Sequence, residues 1–122
     1  MAKTILVVDD ALIIRNLVQF ALVKGGYQVI EAEDGIKALA AIKENKIDLI
    51  ITDTNMPKMN GLNMVKAIKE DPGTKDIPIF VLATETSRST AEQGKDLGVT
   101  AWVVKPFVPD KLLEAVNKVL KK

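Results

Sequence analysis

The chain has 122 residues, 48% of them hydrophobic, which fits one globular domain with its own core and excludes a disordered segment. It contains no cysteine and no histidine, so disulfides, zinc–thiolate sites, thiol nucleophiles, a histidine base and a phosphohistidine carrier are excluded. The 17 basic and 16 acidic residues give a net charge of +1, which indicates neither nucleic acid nor an anionic membrane as a partner.

We expect no signal peptide at the start of the sequence. The segment MAKTILVVDD reaches two acids too early for a signal peptide. No apolar run approaches the ~20 residues of a membrane span. We therefore expect a cytoplasmic protein with no membrane insertion.

The first half of the chain alternates short apolar runs with amphipathic stretches. Thr4 to Val8 predicts a strand buried on both faces. Apolar residues then recur with a helical period from Leu12 to Val23, and Gly25-Gly26 supplies a stop signal. Gln28 to Ala32 alternates, as is typical of an edge strand with one wetter face. The stretch DGIKALAAIKEN predicts a second helix with Asp34 as its N-cap.

The second half repeats this alternation. Leu49 to Thr52, Ile79 to Ala83 and Ala101 to Val104 are near-continuous apolar runs, typical of parallel strands buried on both faces. Helices are predicted in GLNMVKAIKED, more weakly in STAEQGKDLG, and in PDKLLEAVNKVLKK, where Pro109 suits a first turn.

Five β-α units in succession predict an α/β fold: a doubly wound parallel sheet with helices on both faces and right-handed crossovers. No repeat, linker or low-complexity tract interrupts it, so we expect one domain over residues 1–122. In such sheets, ligands bind outside the carboxyl ends of the strands, where the strand order reverses.

Several polar residues follow the predicted strands at that edge. Asp9 and Asp10 follow the first strand and Asp53 closes the third, while Thr84 follows the fourth and Lys105 the fifth. For any one of them the alternative is a helix cap or a turn, and Asp10 is a candidate cap for the next helix. Convergence of three carboxylates favours a binding site.

Three clustered acids indicate a divalent cation. Two like charges ~4 Å apart repel by about 4 kcal/mol at an effective dielectric near 20. With oxygen ligands alone, the ion is a hard one, Mg²⁺ or Mn²⁺. A carboxylate beside such an ion can attack phosphorus and form an acyl phosphate. A dinucleotide or flavin site fits poorly, because no G-x-G-x-x-G follows the first strand.

The motifs VVDD, DLIITDTNMPKMNG and WVVKPF, at this spacing in the β-α order, resemble the receiver domain of two-component response regulators. The chemotaxis-type (CheY-like) stand-alone receivers are the most similar. The resemblance covers essentially the whole chain and implies one receiver domain over residues 1–122. It implies a flavodoxin-like (βα)5 fold with strand order 2-1-3-4-5.

Carried over by position, the resemblance implies that Asp53 is the phosphoacceptor, that Asp10 binds Mg²⁺ directly and that Asp9 assists through water. Asn55 would offer its backbone carbonyl to the metal. Lys105 would pair with the phosphoryl group and with Asp53.

Three further positions match the family. The bond before Pro106 is expected to be cis, which would aim the preceding lysine inward. The side chains of Asn55 and Glu85 match the two positions that tune how readily water reaches the acyl phosphate. The alternative for these two is a pair of exposed loop residues.

The match is imperfect at the switch residues. In the family, a switch Ser or Thr lies a fixed number of residues before the lysine, and counting back from Lys105 places this position on Ala83. Thr84 is one residue too late. A shift of one residue in a strand turns the side chain to the other face of the sheet. Either the end of the fourth strand bends enough to bring the Thr84 hydroxyl into the site, or the site lacks this hydroxyl. In the second case the coupling between phosphorylation and the output surface weakens. Trp102 stands at the aromatic switch position, with a half-buried core tryptophan as the alternative. Ala11 stands where many members have serine.

The resemblance implies a signalling phosphoacceptor with only self-phosphorylation and self-dephosphorylation chemistry. A histidine kinase would donate the phosphoryl group. Phosphorylation would then change the shape of the surface formed by the fourth helix, fifth strand and fifth helix. A partner such as a flagellar motor switch protein or a phosphatase would recognise the changed surface. We expect a monomer. A shuttle in a phosphorelay is the alternative within the family.

Two other classes remain open. Aspartate-nucleophile phosphatases of the haloacid dehalogenase type usually carry a second aspartate two residues after the nucleophile, where this chain has Asn55, which cannot act as the general acid. A binding module that keeps only the fold would show no mass shift with acetyl phosphate.

Overall fold

The computed structural model describes residues 2–53, 61–83, 95–104 and 107–120. Most of the helix predicted in STAEQGKDLG lies outside these ranges. The elements described are the strands β1 (Thr4–Val8), β2 (Gln28–Ala32), β3 (Leu49–Asp53), β4 (Ile79–Ala83) and β5 (Ala101–Val104), and the helices α1 (Leu12–Lys24), α2 (Gly35–Glu44), α3 (Gly61–Glu70) and α4 (Pro109–Leu120).

The strands form one parallel sheet in the order β2-β1-β3-β4-β5. This order confirms the predicted doubly wound, flavodoxin-like fold. The chain runs outward from β1 to β2 and then returns to β3, so the order reverses between β1 and β3. The carboxyl ends of these two strands therefore flank the switch point, where ligands bind in such sheets.

The core has two layers because apolar side chains leave both faces of the central strands. Every residue of β3 and β4 is buried, and so is β1 after its first residue. One face packs against α1 and α4, and the other against α2 and α3. The continuous apolar runs predicted as doubly buried strands are thus confirmed for β1, β3 and β4.

The apolar pattern of the sequence predicted the edge position of one edge strand but not of the other. β2 is an edge strand, as its alternation indicated. The prediction that Ala101 to Val104 is buried on both faces is wrong, because β5 forms the other edge and pairs with β4 alone. Its first three residues, including Trp102, are half-buried, and Val104 is 40% exposed. The half-buried tryptophan weighed as an alternative is what the structure shows, while a rotamer switch remains a prediction.

Two helix boundaries confirm their sequence signals. Gly26 follows α1 with φ 93°, a conformation that glycine adopts without strain. Gly25 allows α4 to approach, since a Cβ there would lie 2.5 Å from Leu113 Cδ1. At the start of α2, Asp34 is the N-cap, and its side chain accepts a hydrogen bond of 2.8 Å from the Lys37 backbone N–H.

The start of α1 has no such cap. Its N-cap is Ala11, in an extended conformation, with no side-chain hydrogen bond to the first turn. Capping by Asp10, the alternative considered for that acid, is therefore wrong. The first-turn N–H groups of α1 lack the acceptor that Asp34 gives α2.

Substituting Ala11→Ser is expected to raise the free energy of unfolding by roughly 0.5–1 kcal/mol, because a serine oxygen can accept from the N–H two or three residues on. Urea denaturation of both proteins measures the difference. Ala11→Thr and Ala11→Val form a control pair of equal shape, of which only the threonine should stabilise. Equal effects of these two would show that the cap hydrogen bond is not made.

The outer side of α1 is apolar although it faces solvent. Ile13 is 75% exposed and Phe20 72%, and Leu12, Leu17 and Val23 are also exposed. Amphipathic surface helices usually place polar residues on this side. The buried side of α1 is apolar as well, so the helix is hydrophobic around most of its circumference. No helix in the described part of the chain has the length and apolar character to span a membrane.

Candidate metal centre at the carboxyl edge of the sheet

Three carboxylates meet at the switch point. Asp9, Asp10 and Asp53 each present an oxygen, and these oxygens lie within 4.8 Å of one another. Asp9 is 1% exposed and Asp53 is 6% exposed, whereas Asp10 is exposed to solvent. The predicted convergence of the three acids is therefore present in the structure.

The register of the sheet explains why two of these acids are neighbours. Val8 of β1 lies opposite Thr52 of β3, and Asp9 and Asp53 are the next residues of the two strands. Asp9 also continues the pairing with β2, since its backbone N–H donates to the Ala32 carbonyl at 3.1 Å. Hydrogen-bonded backbone thus fixes both side chains at one edge.

Local hydrogen bonds shape the turn between β1 and α1. The Asp9 side chain accepts a hydrogen bond of 2.8 Å from the Ala11 backbone N–H, which folds the chain back over the acid. Asp10, at the crest of this turn, remains accessible. The turn thus separates a buried acid from an exposed one.

The chemistry of this donor set fits a hard divalent cation. Carboxylates this close together repel one another when they are ionised, and a cation among them would offset that repulsion. Carboxylate oxygens are the ligands that Mg²⁺ and Mn²⁺ prefer. The two buried acids would hold such an ion from the sheet, and Asp10 would hold it from the solvent side.

Arg15 is a residue beside the site that the sequence reasoning missed. Its side chain is 14% exposed, and its Nη1 donates a hydrogen bond of 2.6 Å to the Asp9 backbone carbonyl. Its Nε pairs with Glu31 Oε1 at 3.3 Å. Arg15 thus ties α1 to the ends of β1 and β2 and places a positive charge beside the acids. The available signal was its position in the first turn of α1, from which a long side chain leans back toward the helix start.

Substituting Arg15→Met is expected to lower the free energy of unfolding by roughly 1–3 kcal/mol, because the Asp9 carbonyl loses a charged hydrogen bond. Methionine keeps the apolar stem of the side chain. Glu31→Gln is the matched control, since it weakens only the partly exposed ion pair and should cost less than ~1 kcal/mol. Urea denaturation separates the two effects, and equal losses would mean that Arg15 acts through Glu31 alone.

A polar rim adjoins the site on the β2 side. A shallow cavity of about 260 Å³ there is lined by residues that include Arg15, Glu31, Glu33 and Lys37. The hydrogen bond from Lys37, together with its charge, lowers the pKa of Glu33, and the same contact raises the pKa of Lys37. Both side chains are exposed, so solvent screens this pair.

Several predicted site residues lie outside the described ranges: Thr84, Glu85, Lys105, Pro106 and Asn55. Their roles remain predictions. Ala83 is within the described ranges, fully buried at the end of β4 and opposite Val104 of β5. Trp102 lies opposite Val81 on the same pair of strands and packs against the core beneath α2 and α3.

An acidic, oxygen-lined site at the switch point of a doubly wound sheet lies where such sheets bind ligands, and its oxygens are suited to a divalent cation. The family model described as "Response regulator receiver domain" matches residues 5–117. The chain therefore belongs to the receiver domain family of two-component signalling, and the family resemblance inferred from the motifs is confirmed.

Known relatives include both short and long proteins. The chain is 39% identical to chemotaxis protein CheY1 of Helicobacter pylori over 118 residues, which is 95% of each protein. It is 37% identical to the phosphate regulon transcriptional regulatory protein PhoB of Pseudomonas aeruginosa, covering 98% of this chain but 52% of that protein. The chain thus spans about half the length of PhoB and nearly all of CheY1.

Solved structures agree with this assignment. The structure of CheY4, a chemotaxis response regulator of Vibrio cholerae, is 42% identical and superimposes with a TM-score of 0.91 over 98% of this chain and 99% of that one. The phosphorylated cyanobacterial phytochrome response regulator RcpA is 28% identical, with a TM-score of 0.85 over 99% of this chain and 93% of that one.

Proposed function

We propose that this receiver domain is a phosphorylation-dependent switch in which Asp53 accepts a phosphoryl group from a histidine kinase in the presence of Mg²⁺. The observation that carries the proposal is the meeting of three carboxylates within 4.8 Å at the carboxyl edge of the sheet. Of the three, Asp53 lies in a strand and is buried, so its position is fixed relative to the other two.

In the proposed reaction, a carboxylate oxygen of Asp53 bonds to phosphorus while the N–P bond of a phosphohistidine breaks, and the leaving imidazole takes up a proton. Bound Mg²⁺ supplies positive charge for the phosphoryl oxygens. Asp10 would bind the ion directly, Asp9 through water and Asn55 through its backbone carbonyl. Lys105 would pair with the phosphoryl group.

The proposed output is chemotaxis, through a protein partner such as a flagellar motor switch protein or a phosphatase. CheY1 and CheY4 support this choice, because each aligns with this chain over nearly the full length of both. For a switch, the phosphorylated site must favour the active arrangement over the inactive one. We propose that Trp102, half-buried on the edge strand β5, reports this change.

Phosphotransfer with intact-mass detection tests the proposal. We expect the mass of one phosphoryl group to be added per chain by acetyl phosphate or by a phosphorylated chemotaxis-type histidine kinase, in Mg²⁺ but not with excess chelator. No gain in mass from either donor would leave a binding module that keeps only the fold. Continuous hydrolysis of a free phosphomonoester would instead indicate a phosphatase.

Substituting Ala83→Thr is expected to increase the change in Trp102 fluorescence that phosphorylation causes. Ala83 and Trp102 lie on neighbouring strands, and strand alternation places both on the same face of the sheet as Val81. A hydroxyl that donates to a charged phosphoryl oxygen contributes about 1.5–3 kcal/mol, which shifts a two-state equilibrium tenfold or more.

Two controls separate the hydroxyl from its surroundings. Ala83→Val has the shape of threonine without the hydroxyl and shares its packing cost in this fully buried position. It should leave the fluorescence change at or below that of the parent. Thr84→Ala tests the neighbouring residue, and loss of the response in this variant would show that Thr84 supplies the hydroxyl instead.

A further inference from the structure

Hydrogen bonds hold the backbone on both sides of Asp10 in the turn from β1 to α1. The Asp9 N–H donates to the Ala32 carbonyl at 3.1 Å, and the Ala11 N–H donates to the Asp9 carboxylate at 2.8 Å. The Ala11 carbonyl accepts from the Arg15 backbone N–H at 3.1 Å, in the first turn of α1. Because Asp10 itself is exposed, the position of its carboxylate depends on this backbone more than on packing.

The Arg15 side chain fixes the peptide group that joins the buried acid to the exposed one. Its Nη1 donates a hydrogen bond of 2.6 Å to the Asp9 carbonyl, which belongs to the peptide bond between Asp9 and Asp10. Rotation of this peptide group would turn the Asp10 carboxylate relative to the other two acids. The Arg15 side chain is only 14% exposed, and hydrogen bonds from charged donors are among the stronger ones in proteins. The bond therefore restrains that rotation.

The charge of the guanidinium would by itself weaken the binding of a cation. It lies beside the acids and would repel a divalent ion that enters among them. Glu31 offsets this charge, because its Oε1 lies 3.3 Å from the Arg15 Nε. The planar fork of an arginine makes both contacts possible at once, from Nη1 to the carbonyl and from Nε to the carboxylate. The pair thus braces the turn and adds no net charge beside the acids.

We propose that Arg15 is a positioning residue of the metal centre, which holds the Asp9–Asp10 peptide so that Asp10 can bind Mg²⁺ together with the two buried acids. Glu31 cancels the charge of the brace and so preserves the affinity for the ion. This inference rests on the proposed function, since it concerns the same site. Replacing the groups that orient metal ligands typically lowers metal affinity by roughly 10–100-fold.

The dissociation constant of Mg²⁺ for the folded protein tests this role. NMR titration of the whole chain with magnesium chloride at constant ionic strength, followed by the amide shifts of Asp10 and Ala11, measures it. The double variant Arg15→Met with Glu31→Gln keeps the net charge of the parent but lacks the hydrogen bond to the carbonyl. We expect it to bind Mg²⁺ roughly tenfold more weakly. Only folded protein gives these shifts, so a loss of stability alone would leave the constant unchanged.

The single variants separate position from charge. Glu31→Gln leaves the charge of Arg15 uncompensated, so Mg²⁺ should bind several-fold more weakly at low salt, and added salt should reduce this difference. Arg15→Met should lie between the parent and the double variant at low salt, because the uncovered Glu31 attracts the ion. The loss in the double variant should persist at high salt. If Arg15→Met bound Mg²⁺ more tightly than the parent, Arg15 would act through its charge alone and the proposal would be wrong.

Lys37→Met with Glu33→Gln is the matched control. It removes a pair of opposite charges from the rim of the same cavity but leaves the hydrogen bond from Arg15 in place. Its dissociation constant should stay close to that of the parent. Equal losses in the two double variants would overturn the proposal, as would a constant in the Arg15 double variant equal to that of the parent.

The same measurements separate this inference from the proposed function. If the parent binds Mg²⁺ and the constants differ as expected, but acetyl phosphate and the kinase add no phosphoryl group, only the proposed function is wrong. If the parent is phosphorylated and the Arg15 double variant binds Mg²⁺ as tightly as the parent, only this inference is wrong. A parent that bound no Mg²⁺ would overturn both.

Discussion

Substituting Asp53→Asn is expected to abolish the gain of one phosphoryl group per chain from acetyl phosphate in Mg²⁺. Asparagine keeps the size and one oxygen of the side chain, but its amide is not a nucleophile toward phosphorus and its oxygen carries no charge for the metal. The side chain is 6% exposed at the end of β3, so the strand fixes the position of this carboxylate in the cluster. Intact-mass spectrometry after a fixed incubation measures the result.

Asp48→Asn is the matched control. Asp48 immediately precedes β3, and its Oδ2 accepts a hydrogen bond of 2.8 Å from the Thr4 backbone N–H, which an asparagine oxygen can also accept. This variant makes the same chemical change at the opposite end of the strand and should be labelled like the parent. Labelling that persisted in Asp53→Asn would remove Asp53 as the sole acceptor.

Substituting Asp10→Asn is expected to have opposite effects on the free and the metal-bound protein. Without Mg²⁺ the variant should be more stable than the parent at low salt, because one charge leaves a cluster of three acids. Mg²⁺ at 100 times its dissociation constant should stabilise the parent by about 2.7 kcal/mol, or roughly 10 °C in melting temperature. The variant should lose most of this gain at the same Mg²⁺ concentration.

Thermal unfolding with and without Mg²⁺ measures both effects, and Asp96→Asn provides the control for charge. Asp96 is exposed and does not belong to the cluster, so its substitution should leave the Mg²⁺-dependent gain unchanged. If Asp10→Asn kept the full Mg²⁺-dependent gain in stability, the two buried acids would bind the ion without Asp10. Lower stability of Asp10→Asn in the absence of metal would contradict repulsion within the cluster.

The sheet and the acids could be predicted because their signals are local. The apolar runs of β1, β3 and β4 are continuous, and parallel strands bring the residues after them to one edge whatever the strand order. Asp9 and Asp53 are therefore neighbours as predicted, since Asp9 directly follows β1 and Asp53 is the last residue of β3. The family motifs added the strand order, which alternation of elements alone leaves open.

Features that depend on the third dimension could not be predicted in the same way. Arg15 contacts a backbone carbonyl six residues before it and a carboxylate on another strand, and its sequence neighbours reveal neither partner. β5 has the composition of a central strand, but its place at the edge follows from the strand order rather than from its residues.

The apolar outer side of α1 has a practical consequence for handling the protein. With a net charge of +1, copies of the chain repel one another weakly near neutral pH. The exposed side chains of Ile13 and Phe20 can then form apolar contacts between copies, because charge repulsion opposes these contacts only weakly. Concentrated samples should therefore aggregate least well away from neutral pH, and Phe20→Lys, which removes an exposed apolar side chain and raises the net charge to +2, should raise the concentration at which the protein aggregates.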